Sequence, residues 1–220
     1  MLGAEAGALF FQPTLLMRAR DNPFANDRLH QIRYRFRGSS WEEFLAQLAK
    51  ADFRGAIVGP EGSGKTTLLE DLEPKLKELD LTPMRLRLSY EAPRFSPVMQ
   101  QMIDSRITPR HILLFDGAEH LGWFAWKRFL LRVRPAGGLI ITRQRAGRLP
   151  TVMETRTSTE LLAEIVTELM EDGPQLDPDQ IRHIYRKHRG NMRDALRDLY
   201  DRFALGRANT LIVKAGFPET

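Results

Sequence analysis

The chain contains no cysteine, so disulfide frameworks and thiolate metal sites are excluded outright. No stretch approaches the ~18 consecutive apolar residues of a membrane span. The opening segment, MLGAEAGALFFQPTLLM, is mildly apolar, but it lacks a basic leading segment and carries Glu5, which argues against a secretion signal. A cytoplasmic location, where ATP and Mg²⁺ are plentiful, is the expectation. Histidine is scarce, and His120, His183 and His188 have no partners at metal-ligand spacing, so they read as structural or surface residues. A guanine-reading Asn-Lys-x-Asp run is missing, as is any second acceptor-binding motif of the kind a small-molecule kinase needs.

What is present fits a soluble globular protein: 220 residues, 42% hydrophobic and 28% charged, enough for one α/β domain and a small appendage. The net charge is +5 and the pI about 9.7, with arginine well ahead of lysine. That balance admits a polyanionic partner. No basic run is interleaved with aromatics in a recognition motif, so nucleic acid is possible but not favoured.

The most informative stretch is Arg54 to Thr67. A short apolar run, Ala56-Ile57-Val58, leads into Gly59-Pro60-Glu61-Gly62-Ser63-Gly64-Lys65-Thr66-Thr67, which fills every required position of the phosphate-binding P-loop. Glycines let successive amide N–H groups turn inward at phosphate oxygens. Lys65 supplies a mobile positive charge for the β- and γ-phosphates, and the Thr66 hydroxyl is a natural ligand for Mg²⁺. The motif needs a strand before it and a helix after it. Leu68, Leu69, Leu72, Leu76 and Leu79 carry the helical spacing, with Pro74 a possible bend, and the helix N-terminus faces the same anion.

Before this landmark, residues 1–38 form an arm without clear period, punctuated at Asn22-Pro23-Phe24. Arg33-Tyr34-Arg35-Phe36-Arg37 alternates, so as a strand its rings would share one face and its arginines the other. Covering an edge or face of the sheet is the favoured role, and crossing the nucleotide site the alternative. Ser40-Trp41-Glu42-Glu43 has capping-box spacing and opens a helix. After the P-loop helix, Pro83 to Tyr90 alternates apolar and basic residues, as an edge strand would, and Val98 to Ile103 is helix-like.

Ile112 to Phe115 is a continuous apolar run, expected for a strand buried on both faces, and it ends in Asp116. An acid at the tip of such a strand holds Mg²⁺ beside a P-loop. The next residues are expected to enter a helix running to about Val133. Glu119 is the candidate to orient an attacking water, although Asp116 and Glu119 also have the spacing of a helix cap and its partner. Gly138 to Thr142 is another apolar strand. Its tip, Thr142-Arg143, would face a γ-phosphate if it lies beside the P-loop strand, and Arg143 would stabilise charge there. Thr151 to Ser158 reads as a last strand, closing a P-loop α/β domain over 39–158. Residues 159–206 carry three helices, expected to lie against that domain as a lid. Arg193, in the first turn of the third helix, could reach the phosphates or pair with Asp194 or Asp201. Residues 207–220 form a C-terminal tail.

GPEGSGKTT, ILLFDGAEHL, LIITR and GNMRDAL, in that order, resemble the AAA+ and STAND branch of P-loop NTPases over about residues 53 to 205. Together with the NPF segment, the core also resembles a set of small bacterial P-loop proteins. The resemblance implies a parallel sheet of about five strands in a three-layer sandwich, with ATP or ADP and Mg²⁺ as cofactors. It also implies Thr66 and Asp116 at the metal, a γ-phosphate sensor at Thr142-Arg143 and a lid sensor at Arg193. There are two departures. Gly117 replaces the usual acid after the metal-binding Asp, and the segment from Thr142 to Thr151 leaves little room for an inter-subunit arginine helix. The expected activity is therefore a slow Mg²⁺-dependent ATPase that acts as a nucleotide-dependent switch through its lid on a protein partner. A nucleotide-binding module without turnover and a small-molecule kinase are the alternatives.

Overall fold

The computed structural model of the chain describes residue 18, residues 21–105, 107–171 and 175–206, and residue 211. The start of the expected arm and nearly all of the expected C-terminal tail lie outside the described residues.

Five strands, β1 (Arg54–Val58), β2 (Thr82–Arg87), β3 (His111–Asp116), β4 (Gly138–Arg143) and β5 (Thr151–Glu154), form one sheet in the order β2-β3-β4-β1-β5. Every neighbouring pair is parallel, as the expected α/β architecture requires. Alternate residues of each strand serve opposite faces. Ile57, Ile112, Leu114 and Ile140 are buried with Phe44 and Leu48 of α2 (Trp41–Lys50) and with Leu68, Leu69, Leu72 and Leu76 of α3 (Lys65–Glu78). Ala56, Val58, Leu113, Phe115 and Ile141 are buried on the other face. They meet Ile103 of α4 (Pro97–Asp104) and Trp126 and Phe129 of α5 (Trp123–Arg132). The result is three layers, and it explains why β1, β3 and β4 read as unbroken apolar runs.

Because the strands are parallel, their C-terminal tips share one end of the sheet. Val58 pairs with Arg143, and Arg87 with Asp116. The loop after β1 and the tips of β2, β3 and β4 are thereby brought together.

Several elements differ from the sequence expectation. Strand β2 is the edge strand, with Met84 and Leu86 buried and Arg85 and Arg87 exposed, but it stops at Arg87. Helix α3 continues through Pro74 without interruption. The expected helix from Asp116 to Val133 is broken. Gly117 sits at φ 78°, a single 3₁₀ turn spans Ala118–His120, and extended Leu121 and Gly122 precede α5. Asp116 is therefore no helix cap.

The arm divides between two bodies. Segment 33–37 forms no strand, yet the alternation holds: Tyr34 and Phe36 pack edge-on, and Phe36 leans on Trp41 and Phe44 of α2. Ahead of it lie Phe24 and the short α1 (Asn26–Leu29). Phe24 is buried against Phe203, ring centroids 5.2 Å apart. Phe203 belongs to the helical tail, α6 (Thr159–Met170), α7 (Pro178–Lys187) and α8 (Met192–Ala204), whose own core joins Leu162, Val166, Ile184 and Leu199 with Phe24 and Leu211. Side chains cap these helices: Ser158 accepts from Leu161 N, Asp177 from Asp179 N and Asn191 from Asp194 N.

Candidate functional site

A cleft of about 910 Å³ opens at the C-terminal end of the sheet. One wall is the glycine-rich loop with the strand tips. The other is the arm, from Asn26 to Arg35, and the inner face of α6 and α8 (Leu161, Ile165, Leu196). Lining by the arm supports the role held in second place from sequence, in which it crosses the site. It also packs on α2 and α3, the helices that cover one face of the sheet, rather than on the sheet itself.

At the floor of the loop wall sits a buried polar cluster. Asp116 accepts from the Thr66 hydroxyl at 2.9 Å through Oδ2 and from the Thr142 hydroxyl at 2.6 Å through Oδ1. Thr142 Oγ1 in turn accepts from Gly117 N at 2.8 Å. Thr142 is only 1% exposed, and its one proton is committed to Asp116 in this arrangement. Position 117 admits no carboxylate. A Cβ there would lie 2.2 Å from Leu88 O, and the backbone is left-handed.

The loop itself is braced from below. Ser63 donates to Pro60 O at 2.7 Å and shares a 2.6 Å hydrogen bond with Thr155, the buried residue just past β5. Gly64, at φ 85°, precedes α3, so the first amides of that helix point into the cleft with the positive end of its dipole. Lys65 folds back so that Nζ donates to Gly59 O at 2.8 Å and Pro60 O at 2.6 Å. Burial lowers the Lys65 pKa, and Arg193 pushes the same way, while Glu119, Asp116 and Glu61 oppose the shift. Its ammonium thus lies within the field of all three acids.

Glu119 lines the cleft from the 3₁₀ turn. Its Oε2 is buried with no hydrogen-bond partner among the described residues. Arg193 also lines the cleft, exposed, with Nη1 4.0 Å from Glu61. Asp194, the partner expected for it on its own helix, instead bonds Asn191.

The sequence-predicted residues do not all converge. Glu61, Gly62, Ser63, Gly64, Lys65, Thr66, Thr67, Asp116, Glu119, Thr142 and Arg193 line the cleft. Gly59 and Pro60 lie behind it and contribute carbonyls to Lys65. Arg143 is the correction. Its side chain is not among the lining groups; Thr142 and Gln144, on either side of it, are, because successive side chains of a strand point to opposite faces. Arg143 contributes its carbonyl, which accepts from Gly59 N at 3.1 Å, while its Nε is buried without a partner.

Other contributors were not identified from sequence. Arg87, at the tip of β2, brings Nε to 3.7 Å from Asp116 Oδ2. Asp71 of α3 is buried and accepts from Arg33 Nη1 at 2.9 Å and Tyr34 N at 2.6 Å, pinning the arm. An acid inside the Leu68–Leu72–Leu76 stripe was a usable signal. Gly62 was expected in the loop, but its contact with α8 was not: at φ 69° it passes so close that an added Cβ would lie 1.9 Å from Asn191 Oδ1, and Gly62 O accepts from Met192 N at 3.3 Å.

A divalent cation fits the donors present. Octahedral Mg²⁺ takes oxygens at about 2.0–2.1 Å, which places neighbouring ligands about 2.9 Å apart. Thr66 Oγ1 and Asp116 Oδ2 stand at that separation. Two protein ligands with the rest from water and phosphate is the usual pattern for this ion. Among the described residues no cluster of three acidic or histidine side chains forms a self-sufficient metal cage.

No protein-family model matches the chain, and no curated protein matches it. Among solved structures, it is similar to a chain of the HORMA:CdnC:Trip13 complex of E. coli MS115-1. The identity is 17%, over 64% of this chain and 62% of the other, with a TM-score of 0.39. The chain thus matches less than two thirds of that neighbour's length. Among the described residues no helix is long and apolar enough to cross a membrane.

Proposed function

We propose that the chain binds ATP with Mg²⁺ in this cleft and hydrolyses it slowly, using the nucleotide to position the helical tail against the sheet domain. The observation that carries the reading is the convergence of Lys65, Thr66, Asp116 and Thr142 at the start of α3. A helix N-terminus with turned-in amides is an anion site in its own right. The ammonium of Lys65, now occupied by two carbonyls, is the cation that phosphate oxygens would draw away. Thr66 and Asp116 would hold Mg²⁺, which when bound neutralises phosphate charge.

In this reading each residue has one task. The amides that open α3 bind and orient the phosphate chain. Thr142 fixes the rotamer of Asp116 by a hydrogen bond. Glu119, with an unpartnered buried oxygen, accepts a proton from or orients a water beside the terminal phosphate. Arg193 leaves Glu61 to report the phosphate, which ties α8 to nucleotide state. The arm and the apolar side chains of α6 and α8 form the remaining wall.

The deciding experiment is equilibrium binding of ATP with and without Mg²⁺ to the parent chain and Lys65→Ala. The reading predicts Mg²⁺-dependent binding that the substitution abolishes; equal affinity in the two proteins refutes the site.

A second reading, nucleotide binding without turnover, is favoured by Gly117, where no acid is accommodated beside Asp116. Phosphate release by the parent and Glu119→Gln separates the two readings. A rate above background that falls in Glu119→Gln supports hydrolysis, and equal background rates leave only the switch.

A further inference from the structure

Helix α5 carries an outward face that the nucleotide reading does not use. Trp123, Phe124 and Leu131 are 63%, 83% and 73% exposed, although they are large apolar side chains on a short helix. At 100° per residue they fall within about one third of the helix circumference, with Phe129 buried on the opposite side. Arg128 flanks that third, about 40° beyond Phe124. Lys127 lies in its middle, with Nζ 5.7 Å from the Trp123 ring centroid. Isolated exposed apolar residues need no explanation, but a cluster on one helix face marks an interaction surface.

The charge around the cluster is of one sign. Between Glu119 and Glu154 the chain has no Asp or Glu. Arg132 is taken by Asp104 of α4. No carboxylate pairs with Lys127, Arg128 or Arg134 among the described residues. We propose that this face docks a protein partner through an acidic amphipathic helix, whose apolar stripe covers Trp123, Phe124 and Leu131 and whose carboxylates meet Lys127 and Arg128. Aromatic and arginine side chains are the commonest interface anchors, and opposite charge selects and steers the partner.

Geometry weighs against the other polyanions. The Trp123 and Phe124 rings stand at 85° to each other, whereas a single strand of nucleic acid stacks successive bases on roughly parallel platforms. On an anionic bilayer Lys127 would have to reach back to the headgroups from the middle of the apolar cluster, whereas a helix that lies in a membrane surface carries its cations on the opposite, polar face. A carboxylate across a protein interface meets that ammonium directly.

The test is titration of the full chain with a synthetic helical peptide of about four turns, Leu at i, i+3, i+4 and i+7 and Glu on the flanks. Its Lys-for-Glu analogue, oligo(dT), and phosphatidylcholine vesicles carrying phosphatidylserine are titrated in parallel. The acidic peptide is expected to bind, Phe124→Ser and Leu131→Ser each to weaken it by about tenfold or more, and the pair Lys127→Glu with Arg128→Glu to switch preference to the basic analogue. These are surface substitutions, and an unchanged circular-dichroism spectrum and Tm in each variant report that the fold is intact. Failure of the acidic peptide to bind overturns the proposal, as does binding that ignores the substitutions. So does a face that takes oligo(dT) or vesicles instead, or a self-association that the same substitutions abolish. None of these outcomes bears on the nucleotide site.

Discussion

Along the loop wall of the cleft, Asp116, Thr142, Thr66, Ser63 and Thr155 bond one another at 2.6 to 2.9 Å, and four of the five are buried. The arm wall is different. Arg35 and Arg37 reach Glu164 and Glu168 of α6 through ion pairs that are largely solvent-exposed, and the contacts of Asp71 and of Arg28 with Leu169 O are part-buried. Buried short hydrogen bonds fix a geometry and are costly to break. Exposed ion pairs contribute little and are screened by salt. The contrast makes the sheet side the more rigidly fixed wall of the cleft, a division that the proposed nucleotide switch would use.

That division can be broken by substitution. The largest effect is expected from Asp116→Asn: the increase in ATP affinity that Mg²⁺ confers should disappear, a loss of more than about tenfold or ~1.4 kcal/mol, while Mg²⁺-free binding persists. Calorimetric titration with and without the metal reads it.

Gly62→Ala comes next. It imposes a left-handed residue and drives a methyl into Asn191, so it should cost about 1–3 kcal/mol and part α8 from the loop. A drop in Tm together with faster hydrogen exchange at Met192 and Arg193 is the expected signature. An unchanged protein would show that the tail does not rest on the loop.

Asp198 sharpens the comparison from inside the tail. Burial would raise its carboxyl, but hydrogen bonds from Arg202, Lys187 and His188 outweigh that and hold it well below the usual carboxylate range. A carboxyl depressed in the folded state stabilises above its unfolded pKa of about 4, and the contribution is lost as pH falls below that. Asp198→Asn should therefore cost about 1–2 kcal/mol near pH 7, with the gap to the parent narrowing as pH falls below about 4, in urea melts run across pH. The smallest effect belongs to Arg35→Ala, which should leave Tm essentially where it is. A large drop would mean that the arm wall is as rigid as the loop wall.

The same contrast explains what was legible in the sequence. The loop wall is written in local patterns: an apolar run, a glycine-rich loop, a leucine stripe, then two apolar runs ending in Asp116 and Thr142. The apolar runs follow from burial on two faces of a parallel sheet, so β1, β3 and β4 were readable. That the β4 tip lies beside the P-loop strand stood only as a condition. The outer strands end earlier, at Arg87 and Glu154, than their alternation suggested. Contacts between distant segments were not readable. Nothing near Phe24 says that it completes the core of helices 180 residues on. The break after Asp116 was hidden because Gly117 was read as a missing acid rather than as a left-handed residue closed in by Leu88 O. Arg143 was assigned to the cleft together with Thr142, although the strand's end was read correctly and adjacent residues there point to opposite faces.

The central claim is tested most directly by a crystal structure of the chain with Mg²⁺ and a non-hydrolysable ATP analogue. The account predicts phosphate oxygens against the amides that open α3, with Lys65 Nζ drawn off the Gly59 and Pro60 carbonyls and the metal between Thr66 and Asp116. An analogue bound elsewhere, with Lys65 still on those two carbonyls, would contradict it.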